Sequence, residues 1–340
     1  MKQKGSLLLV WMIVVLIGVA GCGSPAPAGQ EAEGAGQNAS AQTAGNSGAT
    51  ETKEETNASA DQAGERTIRH LAGETKLVGT PSRIVVMEYG LLASVLALGE
   101  QPVGYADDGK QETLKELDYL TAMGDYTSVG TRQQPNLEVI RTLKPDLIIG
   151  DYARHSEVYA ALTDIAPTIL LPDTKANYDD ALNNHLLIGE ALGKSDEAAA
   201  LVEAHKALLA ETVAGLPKDK RYLIVSLGDK ALNLRTNLFF QPNMLEQAGL
   251  TYALEANAPD ETAMKASIEQ LLDIDPDVMF VSNEEFLEQW LKDPLFLQLK
   301  AVQNDQMFTV RHSKWSFNRS IPGAQVVLEE LQAFTPQIKP

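Results

Sequence analysis

Leu137-Glu138-Val139-Ile140-Arg141-Thr142-Leu143-Lys144-Pro145-Asp146 leads into the apolar run Leu147-Ile148-Ile149. Further along, Ile268-Glu269-Gln270-Leu271-Leu272-Asp273-Ile274-Asp275-Pro276-Asp277 leads into Val278-Met279-Phe280-Val281. Each reads as a short helix, stopped before a proline that cannot continue it, and then a buried strand. The acid-to-Pro-Asp spacing is the same in both, which argues for two related α/β lobes.

The pattern extends outward from each stretch. In the first half, strands are expected at 83–87, 102–105, 146–149 and 167–171, with helices at 91–98, 137–143 and 155–165. In the second half, strands are expected at 222–227, 277–281 and 306–310, with helices at 267–274 and 323–334. Strands alternating with helices predict an α/β fold with mainly parallel sheets flanked by helices. Between the halves a helix over 179–192 is closed by Gly193-Lys194. Ser195 is then expected as an N-cap, with Asp196 and Glu197 favourable for the dipole of the first turn. That second helix runs to about Ala214, ahead of Gly215-Leu216-Pro217. At 1.5 Å per residue it spans roughly 30 Å and would serve as a rigid connector. The expected organisation is an N-terminal lobe at 66–194, a connecting helix at 195–216 and a C-terminal lobe at 217–340.

The chain begins differently. Lys2 and Lys4 precede the uncharged apolar stretch Leu7 to Val19, and Val19-Ala20-Gly21-Cys22 supplies small residues before the sole cysteine. Residues 1–21 read as a secretory signal peptide. The end of that segment resembles a bacterial lipobox, in which the cysteine is lipidated and becomes the N-terminus, so Cys22 is the expected lipidation site. Residues 22–65 then form a tether rich in Gly, Ala, Ser, Thr, Gln and Glu, with seven acids against Lys53 alone. It has too little apolar surface to offset its chain entropy. As a coil it would reach about 35 Å. The expected location is the extracytoplasmic face of a bacterial cell membrane, held there by lipid.

Several function classes are excluded. A formal net charge of −18 argues against nucleic-acid binding, which needs a basic face. One Cys allows neither an intrachain disulfide nor a CxxC metal site. HExxH, GxSxG and GxGxxG are absent. Gly189-Glu190-Ala191-Leu192-Gly193-Lys194-Ser195 resembles a P-loop but is one residue short and follows a helix. His70, His155, His185, His205 and His312 show no metal-ligand spacing. An enzyme is not expected, and neither is a cofactor.

Against the acidic background, four arginines fall where α/β ligand sites form, near the ends of strands. They are Arg132 in Val129-Gly130-Thr131-Arg132, Arg154 in Asp151-Tyr152-Ala153-Arg154-His155, Arg235 in Leu232-Asn233-Leu234-Arg235, and Arg319 after Trp315-Ser316-Phe317-Asn318. A guanidinium fork binds carboxylates in pairs of hydrogen bonds and stays charged. Two come from each half, so an anion between the halves would be clamped. Trp315 is expected to pack on that ligand. Asp107 and His155 lie nearby in sequence, and Asp107 is expected to orient an arginine.

Certain segments resemble one family. They are Tyr105-Ala106-Asp107-Asp108, Ser128-Val129-Gly130-Thr131-Arg132-Gln133-Gln134-Pro135-Asn136-Leu137-Glu138, Leu143 to Asp151, Arg154-His155, Ile165-Ala166-Pro167-Thr168 and Trp290-Leu291-Lys292-Asp293-Pro294-Leu295. They are similar to the iron-siderophore substrate-binding lipoproteins of ABC importers, most closely the ferric-citrate branch. Arg235 departs from that branch's pattern. The resemblance implies a class III periplasmic-binding-protein-like fold of two lobes joined by one long helix. It implies a ferric siderophore as ligand, with iron held by the chelator and no protein metal ligand. A carboxylate chelate such as ferric citrate is one reading; a catecholate or hydroxamate siderophore is the alternative. It also implies that Glu138 and Glu269 dock onto a two-subunit permease with its ATPase.

Overall fold

The computed structural model describes residues 64–110, 117, 123–317 and 319–340. The expected signal peptide, Cys22 and nearly all of the tether lie outside the described residues. So does Asn318.

The chain enters through an antiparallel hairpin, β1 (Glu65–His70) and β2 (Gly73–Val78). The first sheet then has five parallel strands in the order β5-β4-β3-β6-β7. These are β3 (Ile84–Val86), β4 (Gly104–Tyr105), β5 (Thr127–Ser128), β6 (Leu147–Asp151) and β7 (Thr168–Leu171). Side chains alternate across the sheet. Ile84, Val86, Leu147 and Ile149 pack into one core, while Val85, Met87 and Ile148 pack into another on the opposite face. Both faces are covered, as all-parallel sheets require.

The second sheet has six strands, with the path β11-β9-β8-β12-β13 and β10 beside β8. They are β8 (Arg221–Leu227), β9 (Leu232–Arg235), β10 (Thr251–Tyr252), β11 (Ala263–Ala266), β12 (Val278–Ser282) and β13 (Met307–Thr309). β12 runs parallel to β8 and β13, whereas β9 is antiparallel to β8 and β11 is antiparallel to β9. The sheet is therefore mainly, not wholly, parallel, with β9 running against the other strands.

The repeated Pro-Asp stretches occupy equivalent places. The helices span Leu137–Leu143 and Ile268–Ile274, and each ends on a left-handed residue, Lys144 (φ 48°) and Asp275 (φ 44°). In the first, Asp146 Oδ1 accepts from the Arg83 amide at 2.8 Å, while the Asp146 amide donates to the Arg83 carbonyl at 3.0 Å. In the second, Asp277 Oδ2 accepts from the Arg221 amide at 2.9 Å and its own amide donates to the Arg221 carbonyl at 3.0 Å. Each arginine side chain then reaches the preceding helix end, Arg83 to the Leu143 carbonyl and Arg221 to the Ile274 carbonyl. The sequence repeat is thus a repeated clasp tying the start of a central strand to the helix that precedes its neighbour.

The connecting helix spans Ser195–Ala214. Its cap residue is Lys194, so Ser195 is the first helical residue and not the N-cap expected from sequence. The preceding helix is Tyr178–Ala191. Gly189 explains the P-loop-like run: a Cβ there would come within 2.3 Å of the Ala198 Cβ. Only glycine lets these two helices approach so closely. The C-terminal helix, Ile321–Phe334, packs on the connecting helix, on Tyr178–Ala191 and on the helix Tyr89–Ala97. Elsewhere the expected helix over 155–165 is broken into Tyr152–His155, a 3-10 turn at Ser156–Val158, and Tyr159–Thr163.

Hydrogen bonds to a carboxylate contribute about 1.5–3 kcal/mol each when shielded, and less at partly exposed sites. Asp146→Ala and Asp277→Ala should each lower stability by about 1–2 kcal/mol, with additive losses in the double variant because the clasps are far apart. Urea unfolding of the single and double variants measures this; no loss from either single change would refute the role of the clasps.

Candidate functional site

The carboxyl ends of the five parallel strands carry a charged cluster. Glu88 follows β3, Asp107 and Asp108 follow β4, Arg132 follows β5, Asp151 and Arg154 end and follow β6, and Asp173 follows β7. Parallel strands all finish on one edge, so five separate loops deliver side chains to one place.

Arg132 is held from three sides. Its Nε donates to Asp108 Oδ2 at 2.8 Å, its second terminal nitrogen pairs with the same oxygen at 2.7 Å, and its first pairs with Glu88 Oε2 at 3.3 Å. Its guanidinium lies over the Tyr89 ring, 4.0 Å from the centroid. The main chain is pinned as well: the Arg132 amide donates to Asp108 Oδ1 at 2.7 Å. Arg154 Nε pairs with Glu88 Oε1 at 2.8 Å and donates to Thr174 Oγ1 at 2.9 Å. Glu88 is therefore a completely buried carboxylate between two guanidinium groups.

His155 is also fully buried. Its Nδ1 accepts from the Asp151 amide at 2.9 Å, so Nε2 carries the proton and donates to the Arg132 carbonyl at 2.7 Å. Both nitrogens are committed in the neutral ring. Burial, its largest influence, lowers the imidazole's pKa and keeps it neutral. His155 is a brace for the Arg132 loop. Asp107 has another task than expected. Its carboxylate accepts from the Gly109 amide, Ser128 Oγ and Tyr126 OH at 3.0, 2.5 and 3.0 Å. Asp108, its neighbour, is the acid that orients an arginine.

The other two arginines form a second pair. Arg319 Nε donates to the Asp173 carbonyl at 2.7 Å, and a terminal nitrogen donates to the Ser316 carbonyl at 2.9 Å. Arg235 donates to Ser316 Oγ at 3.2 Å and lies 4.3 Å from the centroid of the Phe239 ring. Arg319 faces the same ring at 5.8 Å. β9 is antiparallel to β8, so Arg235 does not sit at the carboxyl edge of a parallel strand, as its sequence position suggested. It is placed instead by the end of β9, where the Tyr252 hydroxyl donates to the Arg235 carbonyl at 3.0 Å and accepts from the Ile224 amide at 3.0 Å. Among the described residues neither Arg235 nor Arg319 has a carboxylate within ion-pair distance, and the Arg235 Nε is buried without a partner. Burial, with the Arg319 charge adding to it, pulls Arg235 down to about 10.

Asp173 and Thr174 connect the two pairs. Thr174 Oγ1 receives Arg154 and donates to Asp151 Oδ2 at 2.7 Å, while the Asp173 amide donates to Asp151 Oδ1 at 2.8 Å. The approach is tight: a Cβ on Gly90 would lie 2.3 Å from Asp173 Oδ1 and 2.6 Å from the Arg319 carbonyl. The structure thus brings Arg132, Arg154, Arg235 and Arg319 to one junction of the two sheets' loops.

Trp315 does not join them. It is 1% exposed, its Nε1 donates to Glu330 Oε2 at 2.7 Å, and its ring lies 4.9 Å from that of Phe280. It belongs to the C-terminal core, because the helix His312–Phe317 turns it toward the sheet. Glu138 and Glu269 are exposed, each the second residue of its Pro-Asp-stretch helix. Glu269 has its pKa lowered by a hydrogen bond with the Ser267 side chain. His185 and His205 line a separate cavity of about 310 Å³ with Pro322 and Gln325, where burial lowers both to about 4. No group of three or more metal-ligating side chains is found among the described residues.

Residues 84–313 match the periplasmic binding protein family. The chain belongs to this family. Among curated proteins, the Fe(3+)-citrate-binding protein YfmC of Bacillus subtilis (strain 168) is 38% identical over 271 residues, covering 78% of this chain and 84% of that protein. The Fe(3+) dicitrate-binding periplasmic protein FecB of Escherichia coli (strain K12) is 34% identical over 262 residues, covering 76% and 86%. The fold matches Staphylococcus aureus SirA complexed with staphyloferrin B, with a TM-score of 0.67 and 24% identity over 81% of this chain and 99% of that one. The two-lobed, helix-linked α/β architecture is accordingly that of periplasmic binding proteins, and the family is one of binding proteins, not enzymes.

Sequence reasoning missed Glu88, Asp108 and Asp173. A lone acid after a strand carries no spacing signal; position after β3, β4 or β7 was the only available clue. Glu88 has a measurable consequence. Burial, the largest influence, and the nearby Asp173 push it up to about 8 from 4.5, while Arg132 and Arg154 oppose the rise. A carboxyl whose folded pKa is raised adds stability below its unfolded pKa and loses it as pH climbs through the folded value. Glu88→Gln has no such proton to lose. The variant should gain stability relative to wild type as pH rises from about 4.5 to 8, then hold that gain. Urea midpoints across this window test it, and a pH-independent difference would refute it.

Proposed function

We propose that this protein is the extracytoplasmic receptor of an ABC importer and captures a ferric carboxylate chelate, ferric citrate or a close relative, between its lobes. The observation that carries this reading is the pair Arg235 and Arg319: two largely buried guanidinium groups that share the Phe239 ring and Ser316, with no carboxylate within ion-pair distance among the described residues. A buried unpaired charge is costly unless a counter-ion completes it. A polycarboxylate chelate supplies that counter-charge in the bidentate form guanidinium groups prefer. Iron is the cargo and stays with its chelator. The names of YfmC and FecB support ferric citrate as the ligand class. The aromatic rings at the junction speak against a catecholate, since Tyr89 and Phe239 are already covered by Arg132 and Arg235 and Trp315 is in the core.

Binding is tested by tryptophan fluorescence of the soluble domain with iron(III) citrate, an iron(III) tris-catecholate and iron(III) desferrioxamine. Saturable binding of the citrate complex is expected. Charge-assisted hydrogen bonds contribute about 1.5–3 kcal/mol, so Arg235→Ala and Arg319→Ala should each weaken binding roughly ten- to hundredfold. Selective binding of the tris-catecholate would overturn the carboxylate reading.

The same reading places Cys22 as a lipidated N-terminus behind a cleaved signal peptide, with 22–65 as the tether. The lobes are then 66–194 and 217–340, joined by 195–216. No helix among the described residues is long and apolar enough to cross a membrane. The permease and its ATPase are the remaining partners, and we assign their docking to Glu138 and Glu269. The two acids are exposed, occupy the same position in the two clasped repeats, and ride on elements fixed to separate sheets. Exposed charges of this kind fix register more than they add affinity. Glu138→Arg combined with Glu269→Arg should leave chelate binding intact and abolish iron uptake. Normal uptake in cells lacking other iron importers would eliminate the docking role.

A further inference from the structure

A site for a polyanion should not contain buried carboxylates, yet Glu88 is 0% exposed at the centre of this one. Its neighbours differ from it. Asp151 is satisfied by three hydrogen bonds, from the Asp173 amide, the Thr174 amide and Thr174 Oγ1. Asp107 is satisfied likewise, by Gly109, Ser128 and Tyr126. Among the described residues Glu88 forms ion pairs only with Arg132 and Arg154, the guanidinium groups that a bound carboxylate would need. In the ligand-free protein it is their counter-ion only above about pH 8, where it is ionised. When a chelate arrives, two carboxylates compete for the same donors, and two negative charges in one dry site repel unless one is neutralised.

Resting on the carboxylate-chelate reading, we infer that Glu88 is a neutral carboxylic acid whenever the chelate is bound, and takes up one proton on binding wherever it is ionised in the free protein. The step is a simple protonation: an O–H bond forms on a Glu88 carboxylate oxygen, the proton comes from solvent or buffer, and the ligand carboxylate replaces Glu88 as the partner of Arg132 and Arg154. Nothing is oxidised or reduced. The loaded site thereby trades an internal anion for an external one, and keeps its charge balance.

The surroundings allow this. The charged and titratable groups acting on Glu88 are Tyr89 from the following helix, Arg132 after β5, Asp151 and Arg154 from the β6 end, and Asp173 after β7. Asp173 is completely buried, its Oδ1 has no hydrogen-bond partner, and its charge acts on Glu88. Burial pushes Asp173 itself up to about 6, with Arg319 opposing. Glu88, at about 8, is thus already poised to hold a proton near neutrality, even beside two arginines. Removing those cations to a ligand raises its proton affinity further. His155 cannot supply the proton, since its one N–H is committed to the Arg132 carbonyl.

The test is calorimetric titration with iron(III) citrate, preformed in excess citrate, in buffers of different ionisation enthalpy. Wild type and Glu88→Gln are compared so that protons exchanged by the chelate itself cancel. At about pH 9 wild type should take up close to one proton more per site than the variant, and at about pH 6 the difference should vanish. Above the ligand-free pKa, wild-type affinity should fall by up to about tenfold per pH unit relative to the variant. Should Glu88→Gln fail to fold, infrared difference spectra of wild type serve instead: loading at about pH 9 should create a protonated-carboxyl C=O band. Binding with equal proton counts, or loading without that band, overturns the inference alone. Absence of iron(III) citrate binding in wild type overturns the carboxylate reading and this inference with it.

Discussion

Guanidinium groups withdrawn from water must find negative charge, and that constraint organises the whole junction between the sheets. Arg132 and Arg154 find it within their own lobe, in Asp108 and Glu88. Arg235 and Arg319 have no carboxylate within ion-pair distance among the described residues, although Arg319 acts on the buried Asp173 carboxyl, and they are held by Ser316, the Asp173 carbonyl and the Phe239 face. The asymmetry has a topological origin. The N-terminal sheet is wholly parallel, so every strand end delivers a loop to one edge, and acids arrive with the arginines. The C-terminal sheet inserts β9 against the direction of its other strands, and one arginine comes from the end of that strand and the other from the segment after the helix His312–Phe317. One lobe pairs its arginines with carboxyl groups of its own, and the other holds its two by neutral groups.

The architecture was legible because its signals are local. Pro145-Asp146 and Pro276-Asp277 each encode a helix stop and a clasp within a few residues of each other. The Arg83 and Arg221 side chains that complete the clasps lie far upstream, and no spacing could have linked them. Helix 155–165 was misread as continuous because apolar spacing persists through the 3-10 turn. The reversed direction of β9 was invisible, since strand direction is set by pairing and not by composition.

The site was legible in part. The four arginines stood out against an acidic chain, and the structure brings them together. Trp315 was misplaced because residue type cannot say which way a helix turns its side chains: five residues separate the core ring of Trp315 from the start of the C-terminal helix, and Arg319 between them faces the other way. Asp107 and Asp108 show the same limit at single-residue scale. Adjacent, chemically alike, they point to different partners, one to Ser128 and Tyr126, the other to Arg132. Glu88 was hidden by being ordinary, an acid after a hydrophobic strand.

The C-terminal helix Ile321–Phe334 touches the connecting helix, the helix Tyr178–Ala191 and the N-terminal helix Tyr89–Ala97, and Gln332 donates to Thr212 Oγ1 at 3.0 Å. It therefore acts as a splint across the waist of the molecule. Helices interlocked at side-chain level slide by small steps and do not swing freely. Any bending between the two sheets has to work against these three helix contacts, so the energy stored in the joint resists wide opening.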